Sequence, residues 1–217
     1  MFRTYRFEGH LSAICATALL VSCAPDDAAV ADAESDKADG YHGVVVNPPF
    51  VKPDFVLTDT DGEPFDFGTE TDGRVALLFF GYTHCPDFCP VQLANIGAVL
   101  GRFPYDVRSR VRVVFVTTDP ERDTPERIRE WLDGFDPSFV GLRGDTAEVA
   151  RIQRALMMPA TIREQTPDAG NYRIGHASSV VAFTADGAGR VIYPFGVRQE
   201  QWEHDIPRLV RQPSDGS

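Results

Sequence analysis

Cysteine is scarce in this chain, four residues among 217. A chain of this length can build a core without cross-links. Long apolar runs are also missing, and the best candidate, Leu11–Val21, is too short to span a bilayer. Positive charge is outnumbered, with 21 Lys and Arg against 32 Asp and Glu and a formal net charge of −11. That deficit argues against nucleic acid or an anionic membrane surface as a partner. It suits a basic protein surface, or it only keeps the chain soluble, and both readings stay open.

The N-terminus accounts for two of the cysteines. Arg3 and Arg6 precede the apolar stretch, which has the shape of a signal-peptide core, with Glu8 as an untidy feature. It ends in Leu20-Val21-Ser22-Cys23, which resembles a bacterial lipobox. Residues 1–23 are therefore expected to be a lipoprotein-type signal ending at a lipidated Cys23, with an ordinary cleaved signal as the alternative. Either way the domain is exported. Its net charge then becomes about −12. Residues 24–43 are rich in Ala and Asp with almost no large apolar side chain, and read as a disordered tether. Some 20 flexible residues give a root-mean-square reach of about 25 Å, enough to search a neighbouring membrane protein.

Cys85 and Cys89 remain, in the run Gly81-Tyr-Thr-His-Cys-Pro-Asp-Phe-Cys-Pro90. Pro90 cannot donate a backbone hydrogen bond but suits the first turn of a helix. It also pushes the residue before it away from helical geometry. The pattern predicts Cys89 at the N-cap and Cys85 in the loop ahead of it. There the positive end of the helix dipole would lower the thiol pKa values and favour thiolates, which attack disulfides and bind soft metals. The competing reading is a structural disulfide. Closing so short a loop constrains the unfolded chain by only about 2 kcal/mol, which favours redox or metal chemistry.

Beyond the tether, residues 44–211 read as one α/β domain, with 212–217 as a tail. Phe55-Val-Leu57 and Phe65-Asp-Phe67 flank Asp61-Gly62 as a hairpin. Residues 74–82 and Val111–Val116 read as buried parallel strands. Between them Leu93, Ile96 and Leu100 recur at helical spacing from Pro90 to about Phe103. Thr124-Pro125 and Asp145 open further helices. A second hairpin, Ser179–Phe183 and Val191–Tyr193, precedes a last helix near Gln199. A βαβ unit followed by a ββα unit is the order of the thioredoxin-like fold: a central mixed sheet flanked by helices, here with an N-terminal β-hairpin extension. The cysteines fall at the first helix of the βαβ unit, where that fold carries its chemistry.

From about Phe50 to Arg211 the chain resembles the Sco/SenC family, membrane-tethered thioredoxin-like copper-binding proteins involved in assembling cytochrome c oxidase. The run from Gly81 to Pro90 matches the family's metal motif, and Asp119-Pro-Glu-Arg-Asp-Thr-Pro125 its second signature. Phe135–Leu142 and Tyr172-Arg-Ile-Gly-His176 are looser likenesses. The resemblance implies Cys85, Cys89 and His176 as copper ligands. Two thiolates and an imidazole suit Cu(I) and tolerate Cu(II). Thiol oxidoreductases of this fold usually carry a cis-proline on the loop facing the first helix. This chain has no proline between Asn171 and Tyr193 and offers His176 instead, which favours metal over disulfide exchange. One departure is Gly175, where the family commonly has an acidic residue before the histidine. His84, Asp87 and Asp119 are candidate supporting or partner-facing groups. His42 and His204 receive no role.

Three functions are expected in descending order. The first is a periplasmic, lipid-anchored copper metallochaperone that is not an enzyme and delivers copper to the binuclear centre of an oxidase subunit. It would be served by an upstream copper donor or a thiol reductant. The second is a thiol–disulfide oxidoreductase that uses Cys85 and Cys89 as a redox pair to reduce that subunit's ligand cysteines. The third is a peroxidase-like thiol enzyme. The oxidation state of the copper, the oxidase served and the oligomeric state stay open.

Overall fold

In a computed structural model the described residues are 40–159, 161–165, 172–175 and 178–212. The proposed signal, Cys23, the tether as far as residue 39, His176 and residues 213–217 lie outside them.

Two buried strands form the centre, β4 (Val75–Gly81) and β5 (Val111–Thr117), paired in parallel. Every residue of Val75–Gly81 is buried, as a strand covered on both faces requires. The link between these strands holds α2 (Phe88–Arg102) and the short α3 (Tyr105–Arg108). After β5 come α4 (Pro125–Asp133), β6 (Val140–Arg143), parallel to β5, and α5 (Thr146–Ala155). Among the described residues the small β7 (Ile162–Gln165) and β8 (Tyr172–Gly175) pair with each other as a separate two-stranded sheet. Then β9 (Val180–Phe183) and β10 (Ala188–Tyr193) form the antiparallel hairpin that joins β4, and α6 (Gln199–Arg211) closes the described chain.

The thioredoxin-like order expected from the sequence is present. Thr124 and Asp145 cap α4 and α5 with their side chains, accepting from the backbone N–H groups of Arg127 and Glu148. The expected first hairpin is β2 (Val56–Asp59) with β3 (Pro64–Asp66), followed by the single turn α1 (Phe67–Glu70). It extends the far edge of the sheet by pairing with β6. At the opposite edge lies a strand the sequence reading did not contain, β1 (Val44–Val51), antiparallel to β10. Pro48 and Pro49 hide it, because proline lacks the ladder donor. An edge strand tolerates this, and the β1–β10 register shifts between Val45 and Phe50, where the prolines lie.

Strand alternation splits the core in two. Leu77, Phe79, Val113, Phe115 and Tyr193 meet α2, α4 and α6 through Leu93, Ile96, Ile128, Leu132, Trp202 and Ile206. Leu78, Phe80, Val114, Val116 and Phe183 face the β2–β3 hairpin and α5 through Phe55, Leu57, Phe67, Val149 and Ile152. The folded unit also begins earlier than expected. Tyr41 is buried, accepts a hydrogen bond from Gln212 at 3.0 Å, and brings the last residues assigned to the tether onto the domain. Among the described residues no helix is long and apolar enough to cross a membrane.

Candidate metal centre

The thiol loop starts where β4 runs out. Thr118 donates to the Gly81 carbonyl through its backbone N–H at 2.7 Å and its hydroxyl at 3.1 Å, tying the ends of β4 and β5 together. Gly81 is required by a close approach. A Cβ there would stand 2.9 Å from the Cys89 Sγ and 2.9 Å from the Phe115 ring. The chain then turns, with the Cys85 N–H donating to the Tyr82 carbonyl at 3.2 Å, and enters α2.

The helix start differs from expectation. Asp87 is the N-cap, α2 begins at Phe88, and Cys89 is its second residue with Pro90 its third. The first four N–H groups of a helix have no intrahelical acceptor, so a proline third in line loses no bond. Cys89's own N–H donates to the Cys85 sulfur at 3.4 Å, which brings both cysteines onto one turn. Cys89 is fully buried and Cys85 nearly so.

The expected lowering of the thiol pKa does not hold for Cys89. Its hydrogen bond with Cys85, and then burial, push the thiol far above the ordinary 9.0. A single turn's dipole does not offset a buried site in which the second sulfur opposes ionisation. Metal binding would therefore displace a proton from Cys89.

Beneath the loop sits a residue the sequence reading passed over within a motif it quoted. Asp123, wholly buried, accepts from the Thr83 N–H at 3.0 Å, the Thr83 hydroxyl at 2.6 Å and the Thr117 hydroxyl at 2.5 Å. It thus locks the residue two places before Cys85 to the end of β5. The available signal was its chemistry: a second aspartate in a motif whose strand enters the core needs donors to be buried.

His84 is exposed, with Nδ1 3.2 Å from the Thr83 hydroxyl and 3.5 Å from Asp123 Oδ1. It belongs to the Asp123 network. Asp87 is exposed and makes no side-chain capping bond. Asp119 is buried and takes a 2.5 Å hydrogen bond from Arg122, whose guanidinium lies over the Tyr82 ring. Arg163 on β7 stands 4.0 Å from Asp119 and 2.6 Å from Glu121. That contact fastens the β7–β8 hairpin, which leads directly into His176, to the loop after β5. Among the described residues, an added Cβ at Gly175 would meet only the Ile162 carbonyl oxygen at 3.7 Å and its Cβ at 3.9 Å, so these contacts do not demand glycine there.

The exposed surface beside the cysteine turn mixes apolar and polar groups. Phe88 and Val91, both 47% exposed, flank Cys89 in the chain, and Phe88 meets Phe195, 41% exposed, edge to face at 4.7 Å. His84 and Asp87 are exposed in the same loop. A buried pair of soft donors beside such a surface can hold a soft cation, or exchange disulfides with a docked protein.

The SCO1/SenC family model matches residues 46–211. A protein of Stutzerimonas stutzeri named for copper binding is 34% identical over 159 residues, 73% of this chain and 76% of its own length. The SCO2-like protein of Rickettsia felis is 34% identical over 137 residues, 62% of this chain and 64% of that one. Among solved structures, Bradyrhizobium japonicum ScoI with copper bound superposes with a TM-score of 0.65 at 33% identity, covering 73% of this chain and 99% of that one.

Proposed function

This chain belongs to the SCO1/SenC family, and on that premise we propose a copper metallochaperone that passes one copper ion to the binuclear centre of cytochrome c oxidase. Copper is the cofactor that the relatives support, one being named for copper binding and one solved with copper bound. Cys85, Cys89 and His176 are the proposed ligands. The observation that carries the reading is the placement of both sulfurs on one buried turn at the start of α2, beside the exposed Phe88, Val91 and Phe195. Burial protects a thiolate-bound copper from water. Those three side chains offer apolar contact to an incoming protein next to the cargo. Transfer then proceeds by ligand exchange. An acceptor thiolate replaces one cysteine while the other still holds the ion, so copper is never free. Lipid on Cys23 would hold the domain at a membrane in the bacterial periplasm, within reach of the oxidase and of an upstream copper donor or thiol reductant.

The same turn supports a second reading, thiol–disulfide exchange with the subunit's ligand cysteines. Cys85 would attack, since it retains the greater exposure, and Cys89 would resolve the mixed disulfide. The raised pKa of Cys89 does not separate the two readings, because copper binding and resolution of a mixed disulfide each require that proton to leave.

The test loads the reduced chain with Cu(I) and mixes it with the reduced copper-bearing subunit. Copper is expected to move to the subunit. Phe88→Ser is expected to bind copper with unchanged affinity and transfer it several-fold more slowly. Copper that stays put, while the copper-free chain reduces the oxidised subunit in a Cys85-dependent way, would assign the oxidoreductase role instead.

A further inference from the structure

A second group of metal-ligating side chains lies away from the cysteines. His42, ahead of β1, meets His204 and Asp205 of α6, and the three ligand atoms all lie within 4.8 Å of one another. Asp205 is wholly buried. Its Oδ1 is 2.9 Å from His42 Nδ1 and 2.7 Å from His204 Nδ1, and its Oδ2 accepts from the His42 N–H at 2.7 Å. The two imidazole rings meet edge to face at 4.7 Å. A buried carboxylate is thus held in orientation by backbone while two imidazoles converge on one of its oxygens. His42 and His204 retain 23% and 39% of their side-chain exposure, so a cation can reach the group and water can complete its shell.

We propose that His42, His204 and Asp205 form a second metal site, taking a divalent borderline cation, with Zn(II) as its type and Cu(II) as a competitor. Two imidazole nitrogens and one carboxylate oxygen are a common three-ligand set for such ions and leave a fourth position for water. Bonds of about 2.0–2.1 Å around a tetrahedral ion need donors about 3.3 Å apart, so the present hydrogen bonds open by about half an ångström while the two imidazoles, within 4.8 Å, draw together. The set contains no sulfur, so Cu(I) is not its cargo. The two sites thus differ in softness: thiolates at α2 for a soft ion, nitrogen and oxygen here for a harder one. Binding at this site would clip the segment entering β1 onto α6.

The experiment is a calorimetric Zn(II) titration of the chain carrying Cys85→Ser and Cys89→Ser, which removes the thiols of the first site and makes the outcome independent of the copper reading. His204→Gln and His42→Gln are compared in that background, and unfolding is followed in chelator to confirm that each still folds. One Zn(II) is expected, weakened at least tenfold by either substitution. Co(II) is expected to show ligand-field bands without thiolate charge transfer, and these should fade in both variants. No stoichiometric Zn(II), or binding indifferent to both histidines, would reduce the group to a hydrogen-bonded clamp around Asp205 and would overturn the proposal.

Discussion

At the scale of single residues, the site depends on groups that never touch the cargo. Asp123 gathers three donors beneath the thiol loop, and each loses this buried acceptor when the carboxylate is removed. Asp123→Ala is expected to cost about 2–4 kcal/mol in denaturant unfolding. A loss below about 1 kcal/mol would show that the network is not structural. Cys89 makes a prediction of opposite kind. Its folded pKa lies above the ordinary 9.0, so its protonated form is favoured by folding. Below pH 9 both states carry the proton and stability does not depend on this group. Above it the unfolded thiol ionises while the folded one does not. The metal-free, reduced protein therefore loses up to about 1.4 kcal/mol per pH unit above pH 9. Chemical denaturation at pH 8, 9 and 9.8 checks this, and Cys89→Ser is expected to flatten the slope across that window. Tyr41 and Tyr193 are also pushed upward, and their contribution begins above their ordinary 10.0.

At the scale of elements, what was legible in the sequence followed local rules. The continuous apolar run of β4, the caps Thr124 and Asp145, and the Asp61-Gly62 hairpin each carry their signal within a few residues. What stayed hidden depended on partners distant in sequence. A strand containing Pro48 and Pro49 is allowed because it lies at the sheet edge and its register against β10 shifts between Val45 and Phe50, where the prolines fall. The start of α2 shifted because Pro90 is harmless at any of the first four positions, so the motif alone does not choose among them. The Cys89 pKa depended on the proximity of Cys85, which sequence spacing suggests, and on burial, which it does not. The role of β7 is likewise tertiary. Arg163 bridges to Glu121 and approaches Asp119, anchoring the hairpin that precedes His176. The pair is largely exposed, so Arg163→Ala is expected to change global stability by less than about 1 kcal/mol. It should nonetheless speed hydrogen exchange in Ile162–Gln165 and weaken copper binding several-fold. Unchanged exchange and affinity would remove the anchor.

At the scale of the whole molecule, the proposed ligand His176 lies 87 positions beyond Cys89 and 91 beyond Cys85, so the three-ligand site depends on the fold. The parallel β4–β5 pair sets the cysteine turn at one end of the sheet. The chain that leaves β8 at Gly175 passes through His176 before entering β9, the strand that pairs with β4. We propose that His176, where thiol oxidoreductases of this fold carry a proline, suits this chain to carry copper rather than exchange disulfides. The direct test of this claim is a copper titration of the reduced chain against a competing chelator, with the native sequence and His176→Ala side by side. One tightly held copper, weakened at least tenfold (about 1.4 kcal/mol) by the substitution, is the predicted result. Copper binding that ignores His176, or no stoichiometric copper at all, would contradict the three-ligand site and leave Cys85 and Cys89 as a redox pair.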